Sequence, residues 1–133
     1  MIKITKERSV SINDVLHLYQ AVGWTNYTHQ PEMLEQSLAH SLAIYVARDD
    51  EEIIGLVRLV GDGFSSVFVQ DLIVLPSYQR QGIGSNLMKE ALADYKDAYQ
   101  IQLATEQTEK TLGFYRSLGF ETLSTYDCIG MIW

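Results

Sequence analysis

The amino-acid sequence predicts an α/β protein whose helices pack on a central sheet. Two observations carry this prediction: apolar residues recur at helical spacing in several segments, and short β-rich segments lie between them. In chain order the predicted elements are β-α-α-β-β-β-α-β-α-β. A chain of 133 residues suits one domain with one core, so we expect residues 1–133 to form a single domain.

The N-terminal segment predicts one strand and two helices. Apolar residues alternate with polar ones at residues 2–4, which is typical of a short strand. Ser11 followed by Asp14 resembles a helix N-terminal capping box, and Gly23 ends the apolar periodicity that follows. Pro31 is well suited to the first position of the second helix.

The middle of the chain predicts three strands. Residues 42–48 and 53–60 are β-rich and flank an acidic turn, which indicates a hairpin. Residues 67–75 are nearly all apolar, which predicts a strand buried on both faces. Only Gln70 and Asp71 interrupt this run.

The C-terminal part predicts two helices and two strands. An amphipathic helix follows from residue 83, and a short strand follows at 101–104. Thr108 is a candidate N-cap of the last helix, and Gly119 is its candidate C-terminal stop. The apolar tail, residues 128–133, predicts a final strand.

Composition excludes several classes of protein. The net charge of −7 argues against a nucleic-acid partner, because phosphate contacts need Lys and Arg, and is compatible with a cationic substrate. Cys128 is the single cysteine, so no intramolecular disulfide is expected. No apolar run has the ~18–20 residues of a membrane span, and no signal peptide is recognisable, so we expect no membrane partner and a cytoplasmic location. No metal is expected, because three histidines lack metal-ligand spacing: His17, His29 and His40.

The most informative segment is the glycine-containing turn at residues 79–85, between a buried strand and an amphipathic helix. The first turn of a helix has free backbone N–H groups, and the helix dipole adds partial positive charge there. Gly82 and Gly84 carry no side chains that would keep a phosphate from the backbone, and Arg80 can add a charged contact. The turn therefore predicts a pyrophosphate site.

Two common phosphate motifs fail at this turn. The P-loop requires Lys followed by Ser or Thr after its last glycine, and neither follows Gly84. The dinucleotide fingerprint requires a third glycine, but that position is Leu87. A glycine turn that serves only tight packing remains an alternative on these residues alone.

Three motifs together make the sequence similar to the GNAT acetyltransferases. Gln79-x-x-Gly82-x-Gly84 resembles that family's Q/R-x-x-G-x-G/A signature, residues 71–78 resemble its fourth strand, and residues 114–120 resemble its FYxxLGF segment. The resemblance implies an acyl-CoA N-acyltransferase fold, with a central mixed, mostly antiparallel sheet flanked by about four helices. It also implies an acetyl-CoA-dependent enzyme.

A narrower resemblance is to bacterial relatives of plant serotonin N-acetyltransferases. It rests on Gly23-Trp24, Asp71 and the ending at residues 130–133. It implies that the loop with Trp24 and Tyr27 covers an acceptor pocket, whose aromatic walls would suit an arylalkylamine or another small, partly apolar amine. Ordinary packing of these aromatic side chains remains the alternative.

The family resemblance also implies which residues bind acetyl-CoA. The pantetheine arm lies along the fourth strand, and a backbone N–H near Ile73 polarises the thioester carbonyl. The implied cofactor-binding residues are Leu72, Ile73, Val74, Gln79, Arg80, Gln81, Gly82, Ile83, Gly84 and Ser85. Where the family often has Asn near the start of its last helix, this chain has Thr108.

Two residues are candidates for catalysis. Tyr115 matches the family's acid, and a phenol with a pKa near ~10 holds a proton at neutral pH for the departing thiolate. Asp71 could act as a base, could orient the ammonium group, or could be satisfied by its neighbours. A direct transfer is hard because an alkylammonium titrates near ~10 and an ordinary carboxyl near ~4.

Three functions stay open at this level. The first is acetylation of a small primary amine by direct attack on acetyl-CoA. The second is acetylation of a protein lysine or N-terminus, and the third is a non-catalytic acyl-CoA sensor. A homodimer is compatible with each.

Overall fold

The computed structural model describes residues 1–133, which divide into two compact units, Met1–Gln102 and Leu103–Trp133. The strands are β1 (Ile2–Glu7), β2 (Ala43–Asp49), β3 (Glu52–Gly61), β4 (Ser66–Val74) and β5 (Gln100–Leu103). The helices are α1 (Ile12–Ala21), α2 (Thr25–Thr28), α3 (Pro31–Ala39), α4 (Ile83–Asp94) and α5 (Glu109–Ser117). Two 3₁₀ turns span Pro76–Tyr78 and Leu123–Tyr126. None of the helices is long and apolar enough to cross a membrane.

The five strands form one sheet in the order β1-β2-β3-β4-β5. Each neighbouring pair from β1 to β4 is antiparallel. Short turns join β2 to β3 and β3 to β4, as antiparallel neighbours allow. The predicted α/β class with a mostly antiparallel central sheet is confirmed.

Helices α1 to α4 cover both faces of the sheet. Leu56 and Ile73 belong to the buried cluster that includes side chains of α1, α2 and α3. A side chain on the adjacent Gly55 would instead lie 3.3 Å from Leu87 of α4. Because successive residues of a strand face opposite sides, α4 and the group α1–α3 lie on opposite faces.

A β-bulge interrupts the pairing of β3 with β4. Arg58 is paired with Asp71, but Leu59 is paired with Val69, so Gln70 is an extra residue on β4. The strand resumes regular pairing at Asp71 and continues to Val74. The bulge thus lies at the start of the β4 segment that the sequence predicts to bind acetyl-CoA.

Three local predictions were wrong. Ser11 is the N-cap of α1, but its side chain makes no capping hydrogen bond, and the aspartate three residues on is one methylene shorter than the Glu of a capping box. One face of β4 is not buried: Gln70 is exposed. The tail 128–133 forms no strand, and Ile132 is 99% exposed, because apolar composition does not supply a partner strand.

Candidate functional site

The turn between β4 and α4 is held in place by two side chains. The Tyr78 hydroxyl donates a hydrogen bond of 2.7 Å to Asp49 at the end of β2. The Gln79 side-chain amide donates one of 3.0 Å to the Val74 carbonyl. These bonds tie the turn to the sheet, so Gln79 supports the shape of the turn in addition to lying within its motif.

The backbone of this turn twice adopts left-handed geometry. Arg80 has φ 65° and Gly82, the N-cap of α4, has φ 79°. A non-glycine residue pays roughly 1–2 kcal/mol for this region, whereas glycine enters it without cost. Alternation of right- and left-handed residues turns successive N–H groups toward one side, which creates an anion-binding concavity.

Six consecutive backbone N–H groups, from Arg80 to Ser85, have no hydrogen-bond partner in the protein. The first N–H of α4 that is bonded is that of Asn86, which donates to the Gly82 carbonyl at 3.0 Å. Free N–H groups and the helix dipole both favour a negative ligand here. The arrangement is suited to an anionic group, and its assignment to the pyrophosphate of acetyl-CoA stays a prediction.

The backbone of β4 past the bulge has a defined orientation. The Leu75 N–H donates to the Ile54 carbonyl of β3 at 2.9 Å. Because N–H and C=O directions alternate along a strand, Ile73 also faces β3, whereas Leu72 and Val74 face away from it. That side of β4 is the side of its other neighbour, β5, so a backbone N–H of this segment that a ligand binds there would belong to Leu72 or Val74, next to the expected Ile73.

Asp71 lies at the centre of a buried polar network. Oδ2 accepts hydrogen bonds from Arg58 Nε at 2.7 Å and from the Tyr19 hydroxyl at 2.8 Å. Oδ1 accepts one from the Tyr27 hydroxyl at 2.9 Å. Arg58 Nη2 also donates to the Tyr27 hydroxyl, at 3.2 Å. The structure thus brings the candidates Asp71 and Tyr27 together.

The network is closed to solvent. Asp71 is 3% exposed and Arg58 is 4% exposed. Burial, followed by the nearby charge of Asp71, raises the pKa values of both Tyr19 and Tyr27, so both hydroxyls hold their protons as donors. This geometry favours the third of the roles considered for Asp71, that of a carboxylate satisfied by its neighbours.

The sequence analysis missed Arg58 and Tyr19. A signal for Arg58 was present: it is a lone charged residue inside the apolar strand 53–60, as Asp71 is inside the next strand. Buried charges are paired, so two such residues on neighbouring strands suggest an ion pair. Tyr19 carried no comparable signal, because a tyrosine at helical spacing is typical of ordinary packing.

The predicted acceptor residues belong to an aromatic cluster. The ring centroids of Trp24 and Tyr27 lie 6.3 Å apart, and that of Tyr19 lies 6.1 Å from Trp24 and 5.0 Å from Tyr27. Tyr19 and Tyr27 are buried, whereas Trp24 is half-buried. Of the two predicted acceptor residues, Trp24 is the one with a substantial accessible surface.

In the second unit, Tyr115 lies on α5. Its ring packs edge-on against Phe114 and Phe120, with centroids 5.0 and 5.9 Å away. Its hydroxyl makes no hydrogen bond within the protein, and burial raises its pKa above the ordinary value of 10.0. The phenol therefore holds its proton at neutral pH. Thr108 caps α5 by accepting a hydrogen bond from the Thr111 N–H, as expected.

Comparisons with known proteins show the family to which the chain belongs. The sequence model of the acetyltransferase (GNAT) domain matches residues 40–122. Serotonin N-acetyltransferase 2, chloroplastic, of Oryza sativa subsp. japonica is 32% identical over 95 residues, which are 68% of this chain and 48% of the relative. The chain spans about half the length of the curated relatives it matches.

Solved structures share the fold. A GNAT-family acetyltransferase from Streptococcus pneumoniae TIGR4 is 73% identical, with a TM-score of 0.93 over 100% of this chain and 97% of that one. The PaiA N-acetyltransferase of Thermoplasma acidophilum, solved in complex with coenzyme A, has a TM-score of 0.71 at 20% identity. The superposition covers 92% of this chain and 91% of the PaiA chain. This chain therefore belongs to the GNAT family of acetyltransferases.

Proposed function

We propose that the chain is an acetyl-CoA-dependent N-acetyltransferase that acts on a small primary amine. The observation that carries this proposal is the row of free N–H groups from Arg80 to Ser85 at the N-terminus of α4. The row coincides with the family's signature motif, and no phosphate-binding lysine accompanies it. These features support a coenzyme A pyrophosphate as the ligand of the turn.

Different residues of the chain bind the pyrophosphate and the pantetheine arm of acetyl-CoA. The N–H groups of residues 80–85 hold the pyrophosphate, and the Arg80 guanidinium adds a charge-assisted contact. The backbone of Leu72 and Val74, which faces away from β3, offers hydrogen bonds to the pantetheine arm. Acetyl-CoA, when bound, supplies the acetyl group as a thioester. The acceptor nitrogen forms the new N–C bond as the C–S bond breaks, and the proton that the nitrogen then loses passes to solvent, which also reprotonates Tyr115.

Tyr115 is proposed as the acid of the reaction. Its Oη donates a proton to the departing sulfur, and its raised pKa supports this role because the proton is present throughout the neutral range. The acceptor nitrogen attacks as the unprotonated amine, so the rate rises with pH until the amine itself is deprotonated, near ~10.

The acceptor is proposed to be an arylalkylamine. Trp24, half-buried beside Tyr27, offers an aromatic wall that suits an aromatic or partly apolar amine. The name of the rice relative, a serotonin N-acetyltransferase, supports the same substrate class.

Release of the CoA thiol from acetyl-CoA tests the proposal. The panel contains tryptamine, serotonin, polyamines, amino acids and lysine peptides. Turnover with an arylalkylamine is expected, and turnover with lysine peptides alone would make the protein acceptor correct. Tight acetyl-CoA binding without turnover on any amine would indicate an acyl-CoA sensor.

Tyr115→Phe is the variant that tests the acid. We expect kcat to fall by ~100-fold or more while acetyl-CoA affinity changes little, because the phenol acts only as the thiolate departs. Tyr126→Phe is the matched control, because Tyr126 is 69% exposed. An unchanged kcat in Tyr115→Phe would contradict the proposed acid.

A further inference from the structure

Arg58 is a buried cation with no part in the chemistry described so far. It lies in the middle of β3, and its side chain is 5% exposed. A buried guanidinium is costly unless it is paired and its donors are satisfied. What Arg58 contacts therefore indicates what the protein gains from it.

The guanidinium connects three other parts of the first unit to β3. Nε donates to Asp71 of β4, and Nη2 donates to Tyr27 of α2. Nη1 lies 3.4 Å from the Ser37 carbonyl of α3 and 3.3 Å from Ser41 Oγ, just beyond α3. The fork of donors on one planar group makes these contacts simultaneously, which a lysine could not do.

The ion pair lies at the bulge of β4. Arg58 is the residue directly opposite Asp71, where the strand resumes its register after the extra residue Gln70. A bulge disrupts the ladder locally, so the bonds that remain there decide where the following segment lies. That segment contains Leu72 and Val74, whose backbone faces away from β3.

The same pair makes Asp71 a poor partner for an incoming amine. Its side chain is 2% exposed, and Arg58 cancels its charge at 2.7 Å. Three donors occupy most of the roughly four acceptor sites of a carboxylate. The groups that face Asp71 are Arg58 from β3, Tyr19 from α1 and Tyr27 from α2, and the α3 end contributes only Ser37 and Ser41 to the network.

We propose that Arg58 is a positioning residue of acetyl transfer, which fixes the β4 backbone at Leu72 and Val74 by pairing with Asp71 at the bulge. Asp71 serves in this pair and does not take the proton of the amine. The inference rests on the proposed function, because it assigns the β4 backbone to acetyl-CoA.

A double-mutant cycle that removes the two buried charges singly and together tests the inference. Arg58→Met and Asp71→Asn each leave one buried charge without its partner, whereas the double variant leaves none and keeps an amide oxygen for the tyrosine hydroxyls. We expect each single variant to lower the urea midpoint by ~2 M and kcat by ~100-fold. The double variant is expected to recover the midpoint and a kcat within ~10-fold of wild type.

The pH profile separates positioning from proton transfer. The double variant is expected to keep both limbs of the wild-type pH profile of kcat/KM. Those limbs report the ionisation of the amine and of Tyr115, and neither group is changed in this variant. Arg58→Lys, which keeps the charge but lacks the fork, is expected to lie between wild type and Arg58→Met in kcat. The inference would be overturned by a stable double variant that keeps the low kcat of Asp71→Asn and lacks the low-pH limb of the kcat/KM profile.

Acetyl-CoA affinity keeps this test distinct from the test of the proposed function. If wild type turns over no amine, the same cycle is measured by calorimetric titration with acetyl-CoA. The expected result is weaker binding by ~10-fold in Arg58→Met and recovery in the double variant. Wild-type affinity in a folded Arg58→Met variant would overturn the inference, whatever the fate of the proposed enzyme.

Discussion

Two polar regions of the first unit differ in whether their polar groups have hydrogen-bond partners within the protein. Around Asp71 each buried polar side-chain atom has at least one hydrogen-bond partner, as has every other buried polar side-chain atom of the protein. At the start of α4, the N–H groups from Arg80 to Ser85 have no partner in the protein. The first region is buried, whereas the second is exposed at residues 80–82 and half-buried or buried at residues 83–85.

The difference distinguishes a region suited to structural support from a region suited to ligand binding. A saturated, ion-paired carboxylate has little left to offer a ligand, but it rigidifies what it connects. A row of unpaired N–H groups connects no parts of the protein and keeps its full capacity to bind an anion. Chemistry-bearing residue types occur in both regions, and only their hydrogen-bond partners distinguish them.

The largest effect on acetyl-CoA affinity is expected from Gly82→Val in the turn. A β-branched residue is strained at φ 79°, and its side chain would project beside the free N–H groups. Acetyl-CoA affinity should fall by ~30-fold or more, which corresponds to ~2 kcal/mol. Isothermal titration calorimetry measures the change.

Gly23→Val is the matched control. Gly23 has φ 73°, and neither glycine has a protein atom within 4 Å of where a Cβ would lie. Both variants carry the same backbone strain, but only Gly82 lies in the turn. Equal losses of affinity in the two variants would show that strain alone, and not the turn, determines binding.

A smaller effect is expected from Tyr19→Phe in the closed network. Removing the hydroxyl takes one donor from Asp71 Oδ2, which should lower the free energy of unfolding by ~1–3 kcal/mol at pH 7. Acetyl-CoA affinity should change less than it does in Gly82→Val. Urea unfolding and calorimetry measure the two quantities.

The same variant has a signature at alkaline pH. Burial raises the pKa of Tyr19 in the folded protein, so above pH ~10 the unfolded chain loses a proton that the folded protein keeps. Stability therefore falls as pH rises past ~10, by up to ~1.4 kcal/mol per unit for each such tyrosine, and Tyr19→Phe should reduce the slope. Tyr99→Phe, which removes an exposed hydroxyl, is the control; an unchanged slope in Tyr19→Phe would contradict the closed network.

The smallest effect on acetyl-CoA affinity is expected from Gln79→Ala, at a side chain that connects the turn to the end of β4. The variant loses the hydrogen bond to the Val74 carbonyl, which stabilises the turn by ~0.5–1.5 kcal/mol. Acetyl-CoA affinity should fall by ~3–10-fold, with Gln36→Ala on exposed α3 as the control. A loss as large as that of Gly82→Val would mean that Gln79 binds the ligand directly.

Local patterns predicted the open region well. Strand, turn and helix follow one another within residues 66–94, so the motif and its structural context are contiguous in the sequence. The left-handed position of Gly82 and the helix start at Ile83 depend on neighbouring residues only. The tail 128–133 shows the limit of such patterns, because a strand exists only where a second strand is present to pair with it.

The sequence by itself determined the α/β class, most of the element order and the glycine turn before α4, because each depends on periodicity or on residues close together in the chain. Only the tertiary structure decided what Asp71 contacts. Its partners Tyr19, Tyr27 and Arg58 are separated from it by 52, 44 and 13 residues. Whether a buried carboxylate is free or saturated depends on which distant donors the fold brings to it, and no local pattern contains that information.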